Sequence, residues 1–72
     1  MSGKEKFSRN KLFDIRKKHN LRRRDVAVLL GKSVVFVEGI EKGKREPKIS
    51  EAKKLAEIYN ISLEEIISAV KS

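Results

Sequence analysis

Residues 20–47 read NLRRRDVAVLLGKSVVFVEGIEKGKREP, a stretch that holds two short helical patterns separated by a glycine. In the first pattern, Val26 and Leu30 have helical i, i+4 spacing and therefore fall on one face. Gly31 follows at once, and glycine is common where a helix ends because it tolerates a left-handed backbone. The pattern predicts a helix over about 22–30.

The second pattern begins at Ser33, whose hydroxyl can accept a hydrogen bond from the backbone at a helix N-terminus. Val37 and Ile40 then mark an inward face, so a helix is predicted over about 33–41. Only about four residues, centred on Gly31, join it to the preceding helix. A pair of helices with so short a connection has the geometry of a helix-turn-helix.

Further helical patterns flank this pair, and no stretch alternates with the short period that a strand requires. Leu12 and Ile15 indicate a first helix, and apolar spacing over 49–59 indicates a fourth. Ser62 and Glu65 form a capping-box pattern that starts a fifth helix. The chain is therefore predicted to be an all-α domain of five short helices.

Length and composition fit one small domain. The chain has 72 residues and no Cys, so disulfides and thiolate zinc sites are excluded. We expect residues 1–7 to form a flexible N-terminal arm and residues 8–72 to form the helical domain. Stability must then come from a compact apolar core.

The strongest global signal is positive charge, since 18 Lys and Arg against 10 Asp and Glu leave a formal net charge of +8. Such an excess on a small surface favours polyanions, namely DNA, RNA or an anionic membrane face. No apolar run approaches the ~20 residues that span a bilayer, and the N-terminal MSGKEKF lacks the apolar core of a secretory signal. We therefore expect a cytoplasmic protein, either of a bacterium or of a phage acting in its host.

From Leu12 to Ile67 the order of features resembles the lambda-repressor/Cro-type helix-turn-helix family. The resemblance is carried by LFDIR, NLRRRDVAVLLGKS, VEGIEKGKREP and KKLAEIYNISLEEII, in that order. It implies a five-helix, lambda-repressor-like fold. It also implies a small Cro/repressor-like transcriptional regulator that binds double-stranded DNA and serves a phage or other mobile element.

In that family the N-terminal part of the third helix enters the major groove and contacts base edges. The resemblance carries the base-facing or partner-facing role to Ser33, Val34, Val35, Phe36, Glu38 and Gly39. It carries the phosphate-contacting role to Arg22, Arg23, Lys32, Lys44 and Arg45. It also implies a partly buried structural ion pair between Arg16 in the first helix and Glu41 at the end of the third.

The base-facing positions from Ser33 to Gly39, called the reading face below, depart from the usual pattern of the family because most of their residues are apolar. At 100° per residue, Val35 lies about 170° from the buried direction that Val37 and Ile40 define, so Val35 must point outward. Val28 on the second helix points outward in the same way, while Phe36 is expected to be half buried. Exposed valines can pack against thymine methyl groups, but they supply no bidentate hydrogen bond to a base. The alternative function is a phage-type antirepressor or modulator that uses these valines to bind a repressor protein.

The fifth helix carries more apolar residues than one small domain obviously needs. They are Leu63, Ile66, Ile67 and Val70. Part of this surface can pair with a second copy of the chain, which would place two recognition helices about one turn of DNA apart, ~34 Å. Alternatively, the same residues complete the core of the monomer.

No pattern in the sequence indicates an enzyme, a cofactor or a metal site. His19 is the single histidine, and no Ser–His–Asp order or acid pair accompanies it. The tripeptide Gly31-Lys32-Ser33 imitates the end of a phosphate-binding loop, but that motif needs glycine where Val26 stands. We therefore expect a binding protein without catalytic activity.

Overall fold

The computed structural model describes residues 9–72 of the chain, and the predicted N-terminal arm lies outside these residues. The described residues form five α-helices and no strand, which confirms the predicted all-α class. The helices are α1 (Lys11–Lys18), α2 (Arg23–Leu30), α3 (Val34–Glu41), α4 (Ile49–Tyr59) and α5 (Leu63–Lys71).

The ends of the helices follow from identifiable residues. Ser33 caps α3, its hydroxyl accepting a hydrogen bond from the Phe36 amide at 3.1 Å, and Ser62 with Glu65 forms the predicted capping box of α5. Gly31 ends α2 with φ +74°, the left-handed conformation that glycine adopts without strain. Residues 31–33 are therefore the turn that joins α2 to α3.

The core draws on every helix. Its buried hydrophobic residues are Leu12, Val26, Ala27, Leu30, Val37, Ile40, Ala52, Leu55, Tyr59, Ile66 and Ala69. The inward faces predicted for α2 and α3 thus meet in this core. Because α3 buries Val37 and Ile40 there, its opposite side is turned to solvent.

The prediction that Ile66 contributes to a homodimer surface is wrong. Ile66 is 0% exposed and belongs to the core, because the turn of α5 directs it inward together with Ala69. Leu63 and Val70 are half buried against the same core. Ile67 alone of the four predicted residues is exposed.

A buried carboxylate fixes the C-terminal end of α3 against the rest of the domain. Glu41 accepts hydrogen bonds from Arg16 Nε at 2.7 Å and Nη2 at 3.2 Å, so the pair is bidentate. Arg23 Nε of α2 donates to the same carboxylate at 3.0 Å, and Arg16 also donates to the Leu21 carbonyl at 2.9 Å. Glu41 therefore joins α1, α2 and α3 through two arginines.

Asn10 forms a second set of hydrogen bonds between the start of α1 and the end of α3, which was not predicted from the sequence. Its side-chain oxygen caps α1 by accepting from the Leu12 amide, while its Nδ2 donates to the Ile40 carbonyl at 2.7 Å. Its backbone amide donates to the Glu41 carbonyl at 2.9 Å. Asparagine directly before a helical pattern is an N-cap signal, and that signal was available at position 10.

Candidate nucleic-acid interface

The N-terminal half of α3 presents an apolar surface to solvent. Val35 is 74% exposed and Val34 is 43% exposed, which agrees with the outward direction predicted for Val35. Gly39 lies one helical turn after Val35 and is half buried beside Arg45, so no side chain of α3 extends the face at this position. An exposed helix face of this kind can approach the base edges of a major groove closely.

Phe36 lies between this exposed face and the core, as predicted from its half-buried position on the helix. Two cations lie near its ring: Arg45 Cζ is 4.8 Å and Lys32 Nζ is 5.3 Å from the ring centroid. Both distances are within the range of a cation–π interaction. Phe36 therefore brings a basic residue of the α2–α3 turn and one of the α3–α4 loop to the same part of α3.

Glu38, a predicted base-facing residue, is engaged within the protein. Its carboxylate lies 2.9 Å from Lys42 Nζ and 3.9 Å from Arg23 Nη1. The hydrogen bond from Lys42 and the charges of Lys42 and Arg23 lower the pKa of Glu38 below its ordinary value. The two cations also offset the repulsion that this carboxylate would exert on a nearby phosphate.

Arg23 differs from the other predicted phosphate contacts because it is turned inward. Its side chain is 27% exposed and bridges Glu41 at 3.0 Å and Glu38 at 3.9 Å. A long side chain held by two carboxylates is poorly placed to leave them for a phosphate. Arg23 thus links α2 to α3, and its contact with a phosphate stays a prediction.

The remaining predicted phosphate contacts are accessible. Arg22 is the N-cap residue of α2, and its side chain is 68% exposed beside Asp25. The Arg22 backbone amide donates to Asp25 at 2.8 Å, and this hydrogen bond lowers the pKa of that carboxyl. Lys32 is exposed, and its Nζ atom lies 3.3 Å from Glu51 Oε2. Lys44 and Arg45 are exposed in the loop after α3.

Within residues 9–72, no cluster of His, Cys, Asp or Glu is arranged to hold a metal ion. In the same part of the chain, none of the helices combines the length and apolarity needed to cross a bilayer.

A short turn between α2 and α3, with α3 presented outward beside basic side chains, is the arrangement of a helix-turn-helix domain. Residues 12–66 match the model of the family described as Helix-turn-helix. The chain belongs to this family of DNA-binding transcriptional regulators.

Two relatives, both from Methanocaldococcus jannaschii, are similar to the chain. One is named an uncharacterized HTH-type transcriptional regulator, and it is 40% identical over 58 residues, which cover 81% of this chain and 88% of that protein. The other is named glutamine--fructose-6-phosphate aminotransferase [isomerizing], and it is 45% identical over 60 residues. That match covers 82% of this chain but only 6% of the named enzyme. No solved structure gives a significant match.

Proposed function

We propose that this protein regulates transcription by binding double-stranded DNA with the N-terminal half of α3 in the major groove. The observation that carries the proposal is the exposed pair Val34 and Val35 on α3, bordered by basic residues of the turn before α3 and the loop after it. That the protein is a regulator of a phage or other mobile element stays a prediction.

Phosphate contacts would supply most of the affinity. The exposed cations of the predicted set around α3 are Arg22 at the start of α2, Lys32 in the turn, and Lys44 and Arg45 in the loop. Contacts of this kind release counterions, so binding should weaken steeply as the salt concentration rises. On α3 the methyl groups of Val34 and Val35 would pack against thymine methyl groups.

A titration of the protein with a mixed-sequence DNA duplex at several salt concentrations tests this function. We expect Val35→Asp to weaken binding by roughly tenfold or more, because it replaces an apolar contact by a negative charge near phosphates. Val28→Asp is the matched control: Val28 is 78% exposed on α2 and the substitution changes the net charge equally. Equal weakening by both substitutions, or no binding by the unmodified protein at low salt, would contradict the proposal.

A second candidate function is supported by the exposed hydrophobic residues on both helices of the motif. Val28 and Leu29 on α2 are exposed in addition to Val34 and Val35 on α3. A phage-type antirepressor or modulator would cover such residues with a repressor protein. Under this alternative, binding to the repressor should be lost with Val28→Asp as well as Val35→Asp, and the duplex titration should show no dependence on α3.

A homodimer remains a proposal, and its surface is the predicted α5 surface extended by residues of α4 and of the loop before it. Exposed Ile67 of α5 and Ile49 of α4 line a cavity of about 170 Å³, with Glu46 and Lys71 also in its lining. A two-fold arrangement could pair the acid of one copy with the base of the other, because the same patch faces itself. Sedimentation of the protein and of Ile67→Lys would test the dimer, and a monomer at all concentrations would reject it.

A further inference from the structure

The exposed face of α3 lacks a hydrogen-bond donor that could read a base. Val34, Val35 and Gly39 offer only apolar or backbone surface, and Glu38 is held by Lys42 and Arg23. The commonest specific contact to DNA is a bidentate arginine on the O6 and N7 atoms of guanine. An arginine that makes this contact must therefore come from outside α3.

Arg45 is positioned by the loop that follows α3. The backbone amides of Lys44 and Arg45 both donate to the Gly39 carbonyl, at 2.9 Å and 3.3 Å. The loop is thereby folded back onto the last turn of α3. The Arg45 side chain then begins beside Gly39 and not in the solvent beyond the helix.

Gly39 carries no side chain, and the Arg45 side chain runs beside this position. A Cβ atom at position 39 would lie 3.7 Å from Arg45 Cβ and 3.8 Å from Arg45 Nε, so the Arg45 side chain passes just beyond the place where a side chain at position 39 would begin. Its guanidinium carbon reaches 4.8 Å from the centre of the Phe36 ring. Arginine on an aromatic face is attracted by the ring and loses rotational freedom.

This path brings the guanidinium to the reading face. Val35 and Phe36 precede Gly39 by four and three residues, so the three positions are neighbours on the surface of α3. Arg45 contacts two of them, Gly39 and Phe36. Its donors thus lie beside the face that the proposed function puts in the major groove.

We propose that Arg45 determines base specificity, donating two hydrogen bonds to the O6 and N7 atoms of a guanine while Phe36 orients its guanidinium. The inference rests on the proposed binding of α3 in the major groove. It assigns to Arg45 a different role from the phosphate contact that the sequence implies. Phe36 is then a positioning residue, and Lys44 retains the phosphate role.

The test uses the full chain and begins with selection of preferred sites from a randomised duplex. Affinities are then measured for the selected duplex and for every single base-pair change in it, with the unmodified protein, Arg45→Lys and Lys44→Gln. Arg45→Lys keeps the positive charge but removes the planar guanidinium, whose parallel N–H groups can donate two hydrogen bonds to one guanine. Lys44→Gln is the control, because it removes the adjacent loop charge.

We expect Arg45→Lys to reduce the preference for one guanine by roughly tenfold to a hundredfold, with the salt dependence retained. Lys44→Gln should instead weaken binding to all duplexes alike and reduce the salt slope by about one. Uniform weakening by Arg45→Lys, unchanged base preferences, or an unmodified protein without any base preference would overturn the inference. Absence of binding by the unmodified protein would reject the proposed function itself.

Phe36→Leu tests the positioning role. We expect it to relax the preference at the same base pair as Arg45→Lys, and we expect the double variant to relax it no further, since both changes remove one interaction. A thermal melt of each variant verifies that the domain remains folded. Relaxation at a different base pair, or full additivity, would remove Phe36 from the proposal.

Discussion

At its C-terminal end α3 carries Glu41, which is fully buried and holds Arg16 and Arg23, whereas near its N-terminal end it carries Val35, which is exposed to solvent. The first residue is polar and buried, and the second is apolar and exposed, so each reverses the usual preference. The buried charge is satisfied by partners from two other helices. The exposed valine has no partner of this kind within the fold, and it lies on the surface for which DNA binding is proposed.

The largest expected effect comes from breaking the buried end of α3. Glu41→Ala leaves Arg16 without its carboxylate partner, and an uncompensated buried charge costs ~3–5 kcal/mol of unfolding free energy. Urea denaturation monitored by circular dichroism measures this loss. Glu38→Ala is the control, because Glu38 is accessible and its partners stay solvated, so its loss should be much smaller. An unchanged midpoint for Glu41→Ala would contradict the structural role of the pair.

A smaller change of opposite sign is expected at Gly39. Gly39→Ala should raise the unfolding free energy by roughly 0.5–1 kcal/mol, because alanine is the better helix former. The added Cβ meets Arg45 at an ordinary contact distance of 3.7 Å, so the substitution fits. Gly31→Ala is the matched control and should destabilise, since φ at Gly31 is +74°. Destabilisation by Gly39→Ala would show that Arg45 needs more space than the structure gives it.

The smallest effect at neutral pH is expected at Tyr59, which is buried in the core. Its hydroxyl has no hydrogen-bond partner among the described residues, so Tyr59→Phe should change the unfolding free energy at pH 7 by less than about 1 kcal/mol. Burial, together with the charge of Glu41, raises the pKa of Tyr59 in the folded state. The unfolded chain therefore releases the phenolic proton first, and this residue's contribution to stability is lost as the pH rises above about 10.

Denaturation curves of both proteins between pH 7 and pH 11 separate Tyr59 from the lysines, which titrate in the same range in each. The difference in stability between Tyr59→Phe and the unmodified protein should grow in favour of the variant as the pH rises. Parallel curves would mean that the Tyr59 hydroxyl is solvated in the folded state.

The sequence predicted the helices and the direction of Val35 because both follow from periodicity and capping, which are local properties. It did not separate Ile66 from Ile67, since two adjacent isoleucines at the edge of an apolar stripe need the positions of the neighbouring helices to be told apart. The inward turn of Arg23 was missed because it depends on a carboxylate 18 residues later. The path of Arg45 over Gly39 depends on loop conformation, which side-chain type alone does not specify.

The anchoring of α3 at Glu41 has a consequence for how such a protein can diversify. The core contacts and hydrogen bonds that hold the helix in place involve Val37, Ile40 and Glu41, while Val34 and Val35 lie outside the core. Substitutions at Val34 and Val35 can therefore accumulate with little penalty in folding, and a new target can be acquired one side chain at a time. The residues proposed to contact the target are thus different from the residues that keep the domain folded.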